Sequence, residues 1–403
     1  MMKMRKPGHI PIDAYDYPLP TDRIAKYPVA DRAGSSLLLY RAGQISHRKF
    51  REIPSLLDDD DSLYFNVTRV VQARLIFRKE TGGRIEIFIL EPHQPADHQL
   101  AFASNGPVAF TCLVGNARKW KQGTLSLSSE DFNLEAEQVG RQDDKFIIRF
   151  SWDAPGASFA EILEKAGSTP IPPYLDREAE SKDMETYQTV YAKQDGSVAA
   201  PTAGLHFTDQ VMDELDQKGI SIGELTLHVG AGTFIPVKEE NAVRHSMHAE
   251  MVTVSRGAIR SLLEKRRRIA VGTTSTRTLE SLFWLGVRAL TEKEFSFEEL
   301  SLDQWEVYDL DGSVSLEAAA GALLRRMEAE RRESVSFSTR IMITPGYEFK
   351  VIDGLVTNFH QPKSTLLLLI AALVGDDWKE IYRFALENGF RFLSYGDSSL
   401  LIP

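Results

Sequence analysis

A strand-rich block between residues 63 and 152 constrains the fold of this chain more than any other feature. It holds six runs rich in β-branched and aromatic residues, separated by turn residues such as Gly82-Gly83 and Asn105-Gly106. No long helical pattern interrupts the runs, and a small all-β unit removes its exposed edges by closing on itself. We therefore predict a small β-barrel. Its six strands are expected to begin at Leu63, Arg69, Arg84, Val108, Thr124 and Lys145.

The rest of the chain alternates between buried strands, glycine- or hydroxyl-rich loops and helices. The apolar run 268–271 precedes the loop 272–276 and a helix, and the run 351–357 precedes the polar loop 358–365 and a very apolar helix. Strand, loop and helix in this order predict a layered α/β domain. We expect an α/β fold, with a larger layered domain from residues 1–62 and 153–403 and a small inserted β-barrel domain at 63–152. Ligands commonly bind in the cleft between two such domains.

The charge of the chain limits how it could bind nucleic acid. A net charge of −10 argues against a protein that coats RNA or DNA without specificity. Two local basic stretches, 69–84 and 118–121, are compatible with a smaller contact to nucleic acid or with solvated faces of strands. A third, 265–268, is predicted at the end of a helix, where cations stabilise the dipole. The acidic run 58–61 predicts a solvated turn. The two stretches are Arg69, Arg74, Arg78, Lys79 and Arg84, and Arg118, Lys119 and Lys121.

Cysteine content and hydropathy point to an intracellular environment. Cys112 is the single cysteine, which excludes an intrachain disulfide and a multi-cysteine zinc site. The longest apolar run, 366–374, is far shorter than the roughly 20 residues that span a bilayer, and no apolar stretch follows the basic N-terminus. We expect a cytoplasmic monomer that does not enter a membrane.

Four histidines stand in segments suited to catalysis. His206 comes just before a helix, while His228 and His360 end strands, where α/β folds bind their substrates. A single histidine is more often structural than catalytic, so both roles stay open for each. His248 follows His245 by three residues, but no further ligand completes a metal site, and we expect none. Glu250 is instead expected to orient His248, which would act as a base.

The segment 272–277 is the best candidate for an anion site. Thr273, Thr274 and Ser275 begin a helix, and Arg277 lies in its first turn, an arrangement that binds carboxylate or phosphate. Simple capping of the helix explains the same hydroxyls, and both interpretations stay open. A second helix start carries Lys363. P-loop, dinucleotide-binding and nucleophile-elbow patterns are absent, which argues against ATP hydrolysis, nicotinamide chemistry and α/β-hydrolase chemistry.

Taken together, the motifs resemble one family over about residues 13 to 400. Examples are Ala199-Ala-Pro-Thr-Ala-Gly-Leu-His-Phe-Thr208, His245-Ser-Met-His-Ala-Glu250 and Val271-Gly-Thr-Thr-Ser-Thr-Arg-Thr-Leu-Glu280. They are similar to the S-adenosylmethionine:tRNA ribosyltransferase-isomerases of queuosine biosynthesis. Other segments that match in order are 65–75, 79–83, 172–174, 187–192, 226–234, 345–347, 357–360 and 394–397.

The resemblance implies a reaction and a set of site residues. The ribosyl part of S-adenosylmethionine, a substrate rather than a cofactor, would be transferred to 7-aminomethyl-7-deazaguanine in tRNA and isomerised to epoxyqueuosine, with release of adenine and methionine. The sulfonium acidifies the 5′ carbon, so a histidine base could begin the reaction. His206, His228 and His248 are the candidate acids and bases, with Glu250. The expected substrate-binding residues are Thr273, Thr274, Ser275, Arg277, His360, Lys363, Tyr395 and Asp397, and Arg69 and Arg74 are expected to contact tRNA.

Several positions depart from the usual family pattern. Val67, Gln72, Thr186 and Gln361 replace a polar residue, a proline, an arginine and a leucine, and the stretch 286–336 also differs. These departures leave three alternatives open: a related S-adenosylmethionine-consuming enzyme with another acceptor, a non-catalytic RNA-binding paralogue, and a metal-dependent hydrolase.

Overall fold

The computed structural model describes residues 4, 6–79, 82–142, 145–229, 237, 239–264 and 267–403. Its strands are β1 (Ser36–Arg41), β2 (Gln44–Lys49), β3 (Asp61–Asn66), β4 (Thr68–Val70), β5 (Arg74–Arg78), β6 (Arg84–Gln94), β7 (Val108–Gly115), β8 (Leu125–Ser128), β9 (Asn133–Gln142), β10 (Lys145–Trp152), β11 (Gln194–Ser197), β12 (Ser221–His228), β13 (Glu250–Ser255), β14 (Arg267–Val271), β15 (Ser301–Leu302), β16 (Ser334–Thr339), β17 (Gly354–Asn358) and β18 (Ser398–Ile402).

The α-helices are mostly short and begin at side chains that cap them. Ser158 and Glu161 form the expected capping box of the third helix, and Thr208 caps the fifth. None of the helices described is long and apolar enough to cross a membrane. The helices are α1 (Ile53–Leu56), α2 (His98–Ala103), α3 (Phe159–Ala166), α4 (Asp183–Thr186), α5 (Asp209–Gln217), α6 (Arg256–Ser261), α7 (Thr273–Thr291), α8 (Leu316–Ala329), α9 (Thr365–Val374) and α10 (Trp378–Glu387).

A ten-stranded mixed sheet organises the larger part of the molecule. Its strand order is β15-β16-β13-β12-β3-β14-β17-β18-β1-β2, and the central strands β12, β3, β14 and β17 are parallel to one another. All six residues of β3 are buried, as expected for a parallel strand covered on both faces. Leu63 and Phe65 face the layer that contains α5, whereas Tyr64 faces the layer that contains α7. The predicted layered α/β architecture is confirmed.

The second sheet is a nearly closed antiparallel barrel of six strands in the order β5-β6-β7-β10-β9-β8. The two outer strands, β5 and β8, contact each other and almost complete the ring. Its interior is a separate apolar cluster around Phe110 and Phe150, and it includes the buried Cys112. The predicted inserted barrel is therefore present, and it has its own core.

Two of the strand predictions for the barrel are wrong. Leu63–Val67 was expected to be its first strand, but β3 pairs with β12 and β14 at the centre of the large sheet. The sixth barrel strand is instead β9, whose charged residues conceal the alternation of Leu134 and Ala136 toward the core. The run from residue 69 to 77 is split, because β4 pairs with β11 and only β5 joins the barrel. The division into domains at residues 62/63 and 152/153 stays a prediction.

The acidic run and the third basic cluster also differ from expectation. Asp61 is fully buried and binds Arg267 through two hydrogen bonds of 2.7 and 2.6 Å, so the run is not simply a solvated turn. Arg267 and Arg268 begin β14 and do not end a helix; Arg268 pairs with Asp353 at 3.0 Å and also donates to the backbone oxygen of Leu262, the C-cap residue of α6, at 3.4 Å. Residues 265 and 266 of that cluster lie outside the described residues.

Candidate functional site

An open cleft lies where the parallel strands β14 and β17 end. Its volume is about 810 Å³, including the part open to solvent. Adjacent parallel strands end at the same edge of a sheet, which is where open α/β folds bind ligands. Five short segments and two single residues converge on it. They are Tyr174, residues 199–203, Val229, residues 272–274, residues 357–361, residues 364–366 and residues 393–394.

The cleft lies between the first turns of two helices. Thr273 and Thr274 begin α7, and no side chain caps this helix start, where Gly272 has a φ of 90°. Glycine adopts a positive φ without steric cost, so Gly272 allows the tight turn between the end of β14 and the start of α7. Ser364 caps α9 on the opposite side. Unpaired N–H groups and the helix dipole attract an anion to the α7 start.

His360 is the predicted histidine that lines the cleft. Its Nε2 lies 3.0 Å from Oγ1 of Thr357, and its backbone N–H donates to the Tyr382 hydroxyl at 3.1 Å. The Tyr17 hydroxyl donates to its backbone oxygen. Burial lowers the pKa of His360 to about 4, so the ring is neutral near pH 7. The backbone contacts hold this ring at the cleft wall.

His206 lies outside the cleft lining, and it contacts a residue that belongs to it. The amide nitrogen of Asn358 is 3.2 Å from Nε2 of His206 and 3.5 Å from the backbone oxygen of Asp397. A carbonyl oxygen only accepts, so nitrogen is the amide atom on this side and Nε2 is its acceptor. Nδ1 then carries the proton and donates to Ser35, 2.9 Å away. His206 therefore positions Asn358.

The ionisation of His206 predicts how stability depends on pH. Burial is the main cause that lowers its pKa from 6.5 to about 4. The unfolded chain then binds more protons between these values, so acidification from about pH 6.5 to pH 4 destabilises the fold. This histidine alone contributes a slope of up to about 1.4 kcal/mol per pH unit. Urea unfolding between pH 7 and 5 measures the slope, which we expect to be smaller in His206→Gln.

The control for this pH experiment is His9→Gln. His9 is exposed, so we expect that variant to keep the wild-type slope. An identical slope in His206→Gln and the wild type would contradict the assignment of a buried, neutral His206.

His228 is stacked on His98 where β12 meets the barrel helix α2. The ring centroids are 4.1 Å apart and the planes differ by 8°. Burial lowers the pKa of His228 to about 4, and burial together with His228 lowers that of His98 to about 3. Neither Nδ1 has a hydrogen-bond partner among the described residues. Residues 230–236, which include Gly230 and Gly232, lie outside those residues.

His248 and Glu250 lie at the start of β13, away from the cleft lining. The side chain of His248 is exposed, and partial desolvation, followed by the charge of Lys145 on the barrel, lowers its pKa. Glu250 forms a buried ion pair with Arg277, whose Nε donates to the backbone oxygen of Ile341 at 3.1 Å. Arg277 is therefore bound to protein groups and does not line the cleft. The described residues contain no cluster of metal-ligating side chains.

The remaining predicted site residues take part in protein contacts outside the cleft lining. Ser275 donates to the backbone oxygen of Val271 at 2.8 Å, and Lys363 pairs with Asp13 and Asp16. Tyr395 donates to Asp183 at 2.9 Å. Asp397 accepts from the backbone N–H groups of Ser36 and Arg391.

The two predicted tRNA-binding arginines also lie near carboxylates. Arg74 binds Glu86 at 2.6 Å, and Arg69 is 3.8 Å from Asp195. Thr273, Thr274 and His360 are the predicted residues that meet at the cleft.

Sequence reasoning missed several residues of the cleft. Asn358 follows the strand pattern directly, so its place at the carboxyl end of β17 was the available signal. Tyr174 belongs to a recognised motif and Gln361 departs from the family pattern, but nothing in their spacing linked them to Thr273. Burial raises the pKa of Tyr174 to about 12, and its hydroxyl is bound to that of Ser394. The phenol is therefore neutral in the cleft near pH 7.

The fold and the cleft define an α/β enzyme with an inserted barrel. The family described as "Queuosine biosynthesis protein" matches residues 12–401. Relatives named S-adenosylmethionine:tRNA ribosyltransferase-isomerase include those of Thermotoga petrophila, 38% identical over 97% of this chain and 99% of its own length, and Syntrophotalea carbinolica, 38% identical over 96% and 98%. A crystal structure of S-adenosylmethionine tRNA ribosyltransferase from Thermotoga maritima is 29% identical, covers 96% and 99%, and has a TM-score of 0.45.

The chain belongs to this family of queuosine biosynthesis enzymes. The family recognised from the motifs is confirmed, as is its class as a transferase and isomerase.

Proposed function

We propose that the protein transfers the ribosyl part of S-adenosylmethionine to 7-aminomethyl-7-deazaguanine in tRNA and isomerises it to epoxyqueuosine, releasing adenine and methionine. The names of the relatives indicate S-adenosylmethionine as the cosubstrate and tRNA as the RNA substrate. The observation that carries the proposal is the cleft between the α7 and α9 starts, where polar and apolar groups stand side by side. The proposal includes a cytoplasmic monomer that needs no separate cofactor.

The start of α7 suits the carboxylate of the methionine part. Its first N–H groups receive no side-chain cap, and Thr273 and Thr274 add hydroxyl donors at the cleft wall. Charge-assisted hydrogen bonds to an anion are among the strongest that a protein makes. Arg277 is directed to Glu250 instead, so we assign the carboxylate to the helix start and its two threonines.

The apolar part of the cleft suits the adenosyl group. Ala199, Ala203, Val229, Phe359 and Leu393 contribute to the lining. Binding a planar base against such side chains removes apolar surface from water and leaves its polar edges to a few polar groups. His206 and Asp397 engage the amide nitrogen of Asn358, which fixes the orientation of its side chain. Asn358 is therefore well placed to bind a polar edge of the base.

His360 is the general base that the geometry favours. The positive sulfonium acidifies the adjacent 5′ carbon, and removal of its proton begins the rearrangement. The bond from the ribose to adenine breaks and adenine leaves with a proton, while the amine of the deazaguanine forms a bond to a ribosyl carbon and loses one. The bond from the ribosyl carbon to sulfur breaks, and methionine leaves as a neutral thioether with the electron pair of that bond. A neutral imidazole at the cleft wall accepts the first of these protons. His206 is a positioning residue in this scheme, and His228 and His248 remain candidates for steps on the barrel side.

The departures from the family pattern bear on the acceptor. Val67 is buried in an apolar cluster with Phe65 and Phe207, so its side chain does not meet a ligand in the cleft. Gln361 does line the cleft. An amide in place of leucine favours a second candidate function, the same ribosyl chemistry on a different acceptor.

The choice of tRNA separates these two functions. Purified protein is incubated with S-adenosylmethionine and either tRNA carrying the aminomethyl-deazaguanine or the same tRNA carrying guanine. We expect adenine release with the first tRNA only. Adenine release with both tRNAs, or with guanine tRNA alone, would support another acceptor and contradict the proposal.

A further inference from the structure

The structure brings two basic stretches, separated in sequence, to one end of the barrel. Lys79, beside the β5–β6 hairpin, donates from Nζ to the backbone oxygen of Lys119 in the β7–β8 connection, at 2.8 Å. Asn116 of the same connection donates to the backbone oxygen of Arg84 at 3.2 Å. The hairpin and the connection therefore form one surface. We name it the basic barrel end and define it by Arg78, Lys79, Arg84, Arg118, Lys119 and Lys121.

Among the described residues, most of the positive charge of the basic barrel end is not paired with a carboxylate. Arg78, Arg118, Lys119 and Lys121 are exposed, and Lys79 and Arg84 are half-buried. In the part of the chain that the structure describes, Arg84 is the member that forms ion pairs, with Glu86 at 3.7 Å and Glu178 at 3.5 Å. Such a concentration of cations in a protein of net charge −10 favours binding of an anionic partner.

The same surface is close to the cleft. Arg84 pairs with Glu178, and Tyr174, four residues earlier, lines the cleft. Four residues span at most about 14 Å even when fully extended. This limit applies to the Cα atoms of Tyr174 and Glu178, and the Arg84–Glu178 ion pair places the Arg84 edge of the basic barrel end beside the segment that leads to the cleft.

We propose that the basic barrel end binds the phosphate backbone of the RNA whose base enters the cleft. This inference rests on the proposed function for the identity of the RNA. Free guanidinium and ammonium groups on adjacent loops bind successive phosphates without reading sequence. Arg74 and Arg69, the earlier candidates for tRNA contact, are not members of the basic barrel end; Arg74 binds Glu86 and Arg69 lies near Asp195.

The test replaces three exposed members together, as Arg118→Gln, Lys119→Gln and Lys121→Gln. The fold of this loop is held by Trp120, which is buried and donates from Nε1 to the backbone oxygen of Gly123 at 2.9 Å. The control replaces exposed cations on the larger domain, Arg260→Gln, Lys293→Gln and Arg325→Gln, and so removes the same charge. The measurement is the Kd for tRNA at several salt concentrations, beside the Kd for S-adenosylmethionine.

We expect the barrel variant to bind tRNA about 10- to 100-fold more weakly at low salt. Its plot of log K against log salt should be shallower by about 0.7–0.9 for each lost phosphate contact. The control should keep the wild-type slope, and the Kd for S-adenosylmethionine should be the same in all three proteins. Wild-type affinity and slope in the barrel variant would overturn the proposal, as would an equal loss in both variants.

This binding measurement does not depend on turnover. Loss of tRNA affinity in the barrel variant supports the surface even if the acceptor proves to be another base. If the barrel variant keeps its tRNA affinity but loses affinity for vesicles of anionic phospholipid, the surface binds membranes, and the RNA proposal is wrong.

Discussion

Replacing His360 by alanine is expected to lower kcat for adenine release by about 10²- to 10⁴-fold, the usual contribution of a general base. His360 is the histidine that lines the cleft, and its ring is neutral because burial lowers its pKa to about 4. The Kd for S-adenosylmethionine should change little, since the helix start and the apolar wall remain. Single-turnover adenine release and equilibrium binding measure the two quantities separately.

The matched control for His360→Ala is His93→Ala. His93 is exposed on the barrel strand β6, and we expect that variant to release adenine at the wild-type rate. The variant His248→Ala tests the competing hypothesis that His248 is the base, which the sequence motif favoured. Full activity in His360→Ala together with loss of activity in His248→Ala would contradict the assignment.

Replacing Arg277 by methionine is expected to destabilise the fold by about 3–5 kcal/mol. The Arg277 and Glu250 side chains are 8% and 5% exposed, so the substitution removes the cation from a buried ion pair. Desolvation of an unpaired charge is costly. The free energy of unfolding in urea, measured near pH 7, gives the loss directly.

The double variant Arg277→Met, Glu250→Leu distinguishes the lost pair from lost packing. Replacing both partners by apolar residues removes the unpaired charge, so we expect it to recover most of the stability. A double variant that is as unstable as Arg277→Met would contradict this account and indicate that packing of the long side chain dominates.

The sequence predicted the layers of the fold because their periodicity is local. Each strand–loop–helix unit at 268–284 and 351–374 carries its own pattern, and the capping boxes are local too. The sheet that a strand joins is not determined by its local sequence. Leu63–Val67 has the composition of any buried strand, and pairing with β12 and β14, more than 150 residues away in sequence, places it in the large sheet.

The candidate site was predicted less well, for the same physical reason. Thr273, Thr274 and His360 were found because strand ends and helix starts are visible in the sequence. Arg277 and Asp397 have the chemistry of substrate ligands, but Glu250 and Arg391 bind them inside the protein. Partners distant in sequence decide whether a charged residue faces a ligand, and no spacing rule reveals them.

Product stoichiometry tests the central claim most directly. The wild-type protein, in excess over tRNA that carries aminomethyl-deazaguanine, is mixed with S-adenosylmethionine, and adenine, methionine and the modified nucleoside are quantified together. The account predicts one adenine and one methionine for each epoxyqueuosine formed. Adenine release without the new nucleoside, or neither product at saturating substrates, would contradict it.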